Sequence, residues 1–383
     1  MNRGNRNIVI IGGGITGVCC AYYIANHEKF NRSRDSITLF ESSGIASAAS
    51  GKASGFLSLE WHGPATSSLA KLSYNLHREL AEKYDGAKQW GYRALDTWSV
   101  KIDEHCKEPD HLPESIEWID SNIVEKVTRL GTKKDTGQVH PYKFCHFLVK
   151  ETSKIADFTI IKGHVTNVEE NEVEYRLLEE EPYEPDEDDE ISDEAELHTL
   201  HSMEATDVIV ATGPWTPRLL PELRISGARI HSILVDLPFK LSGNAAFTEI
   251  TFEDGTTAAP EFYAREDEMY ICGEFDDEPL PELSSETKVN DEKCKWIKSC
   301  ADHYHECFRQ SDIKLRQACY LPISNTTGAP MLGKMTDSVY VAAAHGCWGI
   351  TLGPGTGKVM AELVLDGEVK SASIDLLDPK YCM

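Results

Sequence analysis

An α/β fold of two interleaved domains is predicted by three observations. Near the start, the apolar run Ile8-Val9-Ile10-Ile11 enters a glycine turn, Gly12 to Gly17, and then a helical pattern. Far along the chain, Asp207-Val208-Ile209-Val210 and Val339-Tyr340-Val341-Ala342-Ala343-Ala344 are further buried-strand patterns that end in glycine turns. Between those two runs the sequence is rich in strand patterns, among them Ile230 to Val235, Glu261 to Arg265 and Met269 to Gly273. The first and last thirds of the chain therefore close one sheet around inserted material, and no simple linker separates the two units.

The first turn has the form Gly-x-Gly-x-x-Gly, placed between a strand and a helix. Gly12 permits the tight turn, Gly14 lets the backbone approach a pyrophosphate, and Gly17 lets the helix pack closely on the strand. The helix start at Ile15 and Thr16 then presents free N–H groups and the positive end of its dipole to an anion. A second strand, Ser36 to Phe40, ends on Glu41, whose carboxylate is placed to take the ribose hydroxyls of an adenine nucleotide. The same charge repels a 2′-phosphate and disfavours NADP.

The remaining elements follow in order. A loop of small residues runs from Ser42 to Gly55, and helical periodicity follows from Ser67 to Leu80. After strand-like patterns, Pro141 to Ala156 reads as a helix with Phe144, Phe147, Leu148 and Ile155 on one face. Phe158 to Ile161 and His164 to Glu169 read as two strands. The acidic stretch would join Val173-Glu174-Tyr175-Arg176 to His198-Thr199-Leu200-His201 as the tip of a long hairpin. Helices are expected at Asp291 to Phe308 and at Thr356 to Asp366, the latter after the last strand and its glycine turn.

Composition narrows the partners. The net charge is −25, and twelve acidic residues with no Lys or Arg fall between Glu179 and Glu196, so about half of that charge is local. A tract of this kind repels itself, so 179–196 is expected to be a disordered, solvated loop, with docking to a basic protein as its functional alternative. Nucleic acid is disfavoured, because no cluster of Lys and Arg is present. No run is long enough to span a bilayer. Eleven cysteines without a Cys-x-x-Cys pair give neither a disulfide framework nor a metal site. The first strand begins too early to leave room for a secretion signal. The cytoplasm is the expected compartment, with peripheral attachment to an endomembrane such as the late endosome as the alternative.

Four motifs in order resemble the D-amino acid oxidase family of FAD enzymes, which includes glycine oxidase and sarcosine oxidase, and fungal members of it in particular. They are Gly12-x-Gly14-x-x-Gly17 with Glu41, Ala49-Ser50-Gly51-Lys52-Ala53-Ser54-Gly55, Val210-Ala211-Thr212-Gly213-Pro214-Trp215, and Gly346-Cys347-Trp348-Gly349-Ile350-Thr351 with the glycines that follow. The resemblance implies a Rossmann-like FAD-binding domain of the glutathione reductase-like FAD fold and D-amino acid oxidase topology, interleaved with a mixed β-sheet substrate domain. Residues 1–60, 139–221 and 329–383 would form the first, and 61–138 and 222–328 the second.

The resemblance also implies roles. Ser42, Ser50, Gly51 and Lys52 would wrap the pyrophosphate and the dimethylbenzene side of the flavin, with Ser54 and Gly55 against the ring. Val165 would meet the adenine, and Ala211, Thr212, Gly213 and Trp215 would mark the crossing where the sheet touches the cofactor. Gly346 to Thr351 would face the flavin pyrimidine, where a helix N-terminus stabilises the negative charge of the reduced ring. Cys319 falls where sarcosine-oxidase-like members carry a cysteine bonded to the flavin, although non-covalent FAD is the expectation.

Amino-acid oxidases of the family place an arginine immediately before the proline at 322, to clamp a substrate carboxylate. Here that residue is Leu321. Arg265, beside Tyr263, is the replacement candidate, and Lys52 is the nearby cation. The implied reaction is hydride transfer to FAD from a C–H next to the nitrogen of an amine or amino acid, with oxygen as acceptor. A dehydrogenase with another acceptor, or a flavoprotein scaffold docking through the acidic loop, are the alternatives.

Overall fold

The computed structural model describes residues 5–178 and 199–382. The chain begins β1 (Asn7–Ile11), α1 (Ile15–Ala25), β2 (Ser36–Glu41), α2 (Ala49–Lys52), β3 (Phe56–Ser58), α3 (Ser67–Tyr84) and α4 (Gly86–Trp90). It continues β4 (Arg93–Ala94), β5 (Asp96–Asp103), β6 (Val124–Gly131), β7 (Thr136–Gln138), α5 (Pro141–Ile155), β8 (Asp157–Glu169) and β9 (Glu172–Leu177). Then come β10 (His201–Glu204), β11 (Asp207–Val210), β12 (Ile225–Val235), β13 (Asn244–Thr251), β14 (Thr257–Ala258), β15 (Glu261–Ala264) and β16 (Met269–Asp276). The chain closes with α6 (Asp291–Asp302), α7 (Glu306–Arg309), β17 (Ile313–Ser324), β18 (Met331–Lys334), β19 (Val339–Ala343) and α8 (Gly349–Asp366).

One sheet has the order β10-β9-β8-β2-β1-β11-β19-β18, and its centre is parallel because helices return the chain between strands. The residues of β1 alternate. Ile8 and Ile10 pack with α1, α3, α5 and α8, while Val9 and Ile11 enter a second core with Val165, Val208 and Val341. The second sheet, β17-β12-β16-β15-β13-β5-β6, is mixed, since β5 runs parallel to β13 in an otherwise antiparallel array. One of its faces carries Phe262, Ile271 and Ile233 into a core closed by α6 and α7. The opposite face, with Tyr263, Tyr270 and Cys272, meets Phe56 of β3. The small sheet β3-β7-β4 completes the fold. No helix among the described residues is long and apolar enough to cross a membrane.

The structure differs from the sequence reading at several points. The last helix starts at Gly349 rather than Thr356, with Pro354 inside it. Proline lacks an N–H for the Ile350 carbonyl one turn back, and buried His77 supplies the missing donor, Nε2 to Ile350 O at 2.8 Å. The segment read as two strands around Gly163 is the single strand β8, and the helix expected to Phe308 breaks around His303–His305 into α6 and α7. Residues 61–138 were assigned to the second domain by resemblance, yet α3 within them packs in the core of the first sheet, against α8. The acidic tract 179–196 lies outside the described residues. Its flanks pair antiparallel, with His201 opposite Tyr175 and Glu204 opposite Glu172.

Candidate active site

The β1–α1 turn uses its three glycines differently. Gly12 has φ of +108°, and a Cβ there would lie 2.5 Å from the Ala211 carbonyl oxygen. A Cβ on Gly17 would lie 1.9 Å from the Gly12 oxygen. Those two positions are fixed by the fold. At Gly14 a Cβ would meet only Ser50 Oγ, at 3.1 Å, so this position faces open space. Gly14 caps α1 without a side-chain hydrogen bond, and no acidic residue sits in the first turn of that helix. Ser50 Oγ accepts the Ile15 N–H at 2.9 Å. The turn is thus shaped for an anion larger than a side chain.

Glu41 organises the neighbouring loop. Its Oε2 accepts the Gly13 N–H at 2.6 Å, and Oε1 accepts Ser43 and Gly44 N–H at 2.8 and 3.3 Å. Burial pushes its carboxyl up, and these backbone donors oppose the push. A carboxylate has about four acceptor directions. Oε2 is the less occupied of the two oxygens and is the one a ribose hydroxyl would reach.

From this turn a cleft runs between the two large sheets, with ≈1240 Å³ of empty space counted to its open mouth. Gly12, Gly14, Ile15, Thr16, Glu41, Ser42 and Ser50 line one end. Val165 lies beside it, and Ala211, Thr212, Gly213 and Trp215 line the middle. Gly346, Cys347, Gly349 and Ile350 line the far end, where α8 begins with no acidic residue in its first turn. The positive ends of two helices thus face one cleft.

Other expected residues lie behind this wall. Besides Gly17, Gly51 and Gly55 are packing positions, where a Cβ would come within 2.0 Å of Ala46 O and 1.8 Å of Val139 O respectively. The Ser54 hydroxyl accepts the Phe56 N–H at 3.4 Å, and Thr351 donates to Phe56 O at 3.1 Å. Lys52 Nζ donates to Ala318 O at 3.0 Å, and burial lowers its pKa. Cys319 is buried on β17, and burial pushes its thiol up to about 11, against the pull of nearby Lys52. Trp348 stands edge-on to Trp61, with ring centroids 6.5 Å apart.

The two catalytic candidates of the second sheet separate. Arg265 is not free to clamp a carboxylate. Its Nη1 pairs with Glu268 at 2.8 Å and its Nη2 donates to Ala53 O at 3.0 Å, which makes it a brace behind the cofactor loop. Tyr263 is buried in the aromatic cluster with Phe56 and Phe247, and its hydroxyl donates to Glu261 Oε2 at 2.7 Å. Glu261 was not singled out from sequence. The alternation of β15 carries the signal, because Glu261 and Tyr263 share the face opposite Phe262.

Sequence reasoning also missed a strap across the cleft. Trp215 Nε1 and Arg218 Nη2 both donate to Pro281 O at 2.8 Å, and Tyr320 OH donates to Pro279 O at 2.7 Å. Glu282 and Ser284 of this strap line the cleft with His164 and Arg218. Nothing in the local sequence marks a carbonyl that will be gripped by residues more than sixty positions away. His345, also on the lining, bonds Thr356 Oγ1 through Nε2 at 3.0 Å, and burial holds its pKa near 4, so it is neutral at physiological pH.

Comparison with known proteins gives the family and the fold. The family profile described as FAD dependent oxidoreductase, DAO, matches residues 7–363. A Schizosaccharomyces pombe protein named "Putative oxidoreductase C1F5.03c" is 71% identical over 376 residues, 98% of each chain. Among solved structures, glycine oxidase from Geobacillus kaustophilus superposes with a TM-score of 0.72 at 17% identity, covering 98% of both chains. L-proline dehydrogenase from P. horikoshii gives 0.72 at 15% identity, covering 98% of this chain and 97% of its own.

Proposed function

We propose, for a chain that belongs to the FAD dependent oxidoreductase family of D-amino acid oxidase type, that it oxidises the C–N bond of an amine, with oxygen as the electron acceptor. The observation that carries this reading is a single cleft that joins the pyrophosphate turn to the start of α8 at Gly346 and Cys347, where Trp348 packs on the aromatic cluster of Phe56 and Tyr263. Bound FAD supplies the hydride acceptor.

The protein's part is placement. The α1 N-terminus and Ser50 hold the pyrophosphate, Glu41 the ribose, and Ala211 to Gly213 the crossing over the sheet. The α8 N-terminus stabilises negative charge at the far end. The strap at Pro279 to Ser284 limits exchange of the ligand. Cys319, with a neutral thiol off the cleft wall, fits FAD held without a covalent bond. Phe56, Trp61 and Phe247 exclude water where the C–H to be broken must sit, which is the contribution this chemistry asks of the protein.

Amines are favoured over α-amino acids because Leu321 replaces the arginine clamp and Arg265 is committed elsewhere. Turnover on a panel of secondary amines and D- and L-amino acids tests this, with hydrogen peroxide as the readout. Peroxide from amines is the expected result. Reduction of the flavin without reoxidation by air would replace oxygen with another acceptor. No reduction by any member of the panel would overturn the reading.

A further inference from the structure

We propose that the patch beside Cys347, next to the end of the cleft, recognises an organic ammonium ion without a carboxylate, held by Glu261 against the aromatic cluster of Phe56, Trp61, Phe247 and Tyr263. The inference rests on the amine-oxidation reading and narrows its substrate class to N-alkylated amines.

Strand register makes the site. β13 sets Phe247 opposite Glu261, and β16 sets Cys272 opposite Glu261. Residues directly opposite one another share a face, and Tyr263 two positions on shares it too. One carboxylate is thereby planted in an aromatic surface. Phe56 comes from β3, 5.8 Å from both Phe247 and Tyr263 between ring centroids, and Trp61 lies 5.3 Å from Phe56 and from Phe247.

The charge of Glu261 has no protein partner. It forms no ion pair among the described residues. Its Oε2 takes the Tyr263 hydroxyl at 2.7 Å and the Cys272 thiol at 3.7 Å, while Oε1 accepts no hydrogen bond among them. The titratable groups around it are Tyr263, Cys272, Cys347 and, beyond Cys272, Tyr270. All are acids whose protonated form is favoured by burial. Burial also pushes the Glu261 carboxyl up.

A half-buried carboxylate without a cation is a favourable place for a ligand that supplies one. Aromatic faces attract the same ligand, because their quadrupoles favour alkylammonium groups. A substrate carboxylate would meet Glu261 as a like charge, which selects against α-amino acids.

The test uses the FAD-loaded protein and follows flavin absorbance beside tryptophan fluorescence, so that binding is still read when Trp61 is replaced. Tetramethylammonium chloride is titrated, with sodium acetate and sodium chloride as controls at equal ionic strength. The proposal expects saturable quenching by tetramethylammonium and none by acetate. Glu261→Gln should weaken that binding at least tenfold without loss of flavin, and Trp61→Leu should weaken it severalfold with Glu261 in place. Equal binding by Glu261→Gln and wild type, or no saturable signal, would overturn the proposal. If Glu261→Gln does not fold, unchanged binding in Trp61→Leu overturns it instead. Because the readout is binding, a cation site in a protein that oxidises no amine would fault the reaction alone, and amine turnover indifferent to Glu261→Gln would fault the site alone.

Discussion

At the β1–α1 end of the cleft the wall is backbone, made by Gly12, Gly14 and the first N–H groups of a helix. Beyond its other end, at Cys347, lies a cluster of side chains in which Phe56 and Trp61 pack against Phe247 and Tyr263. The first end recognises what every FAD presents, a pyrophosphate, and needs only a turn whose residues are contiguous in sequence. The second, on the proposal above, would recognise what only one substrate class presents, and its residues are spread from 56 to 263. Contiguity makes a site readable from sequence, and dispersal across strands hides it.

The sharpest way to break this comparison lies within the glycine turn itself. Gly17→Ala puts a methyl group 1.9 Å from a backbone oxygen that cannot move without β1. It should destabilise the fold by about 3 kcal/mol or more, as severe overpacking does. Gly14→Val meets only Ser50 Oγ and should fold with near wild-type stability while losing FAD. Denaturant unfolding and flavin content, measured on both variants, check the pair. If both unfold alike, the division between fold glycines and ligand glycines fails.

Next in size is Arg265→Ala. The side chain braces Ala53 and Glu268 behind the cofactor loop, so its loss should cost about 2–3 kcal/mol of stability. The KM for an amine should change little. A large rise in KM with unchanged melting would restore Arg265 to the substrate site.

The smallest effect sharpens the account of α8. His77 is held neutral by burial, with a pKa near 4 in the folded protein against 6.5 free. Between those values the unfolded chain binds a proton that the folded chain refuses, so stability is full above pH 6.5 and falls as pH drops toward 4, by up to about 3 kcal/mol. His77→Leu leaves the Ile350 carbonyl without its donor, at about 1–3 kcal/mol near neutral pH, and removes this share of the acid loss. Melting temperature against pH for both proteins gives the difference. An unchanged acid slope would show that His77 is not the group that titrates.

The same contrast explains what the sequence revealed. The central strands around β1, β11 and β19 were legible because buried apolar runs end in glycine turns, and the residues expected to hold the cofactor cluster at those turns. The start of α8 was not, because Pro354 argues for a break and only His77, far away in sequence, removes the objection. Gly353, Gly355 and Gly357 read as a cofactor turn, yet they let α8 cross α1 and α3 closely. A Cβ on Gly357 would lie 2.5 Å from the Cys19 carbonyl. Glu261 lay in a strand already recognised as such. Its importance depends on which face of β15 meets Phe56, and that is a tertiary fact.

The central claim is that one end of the cleft holds FAD and the other chooses the substrate. The most direct measurement is the visible flavin spectrum of wild type, Gly14→Val and Glu261→Gln, before and after anaerobic addition of an N-methylated amine. The account predicts one FAD per chain in wild type and Glu261→Gln, none in Gly14→Val, and bleaching by the amine in wild type alone. A Gly14→Val protein that keeps its flavin, or a Glu261→Gln protein bleached as readily as wild type, would contradict it.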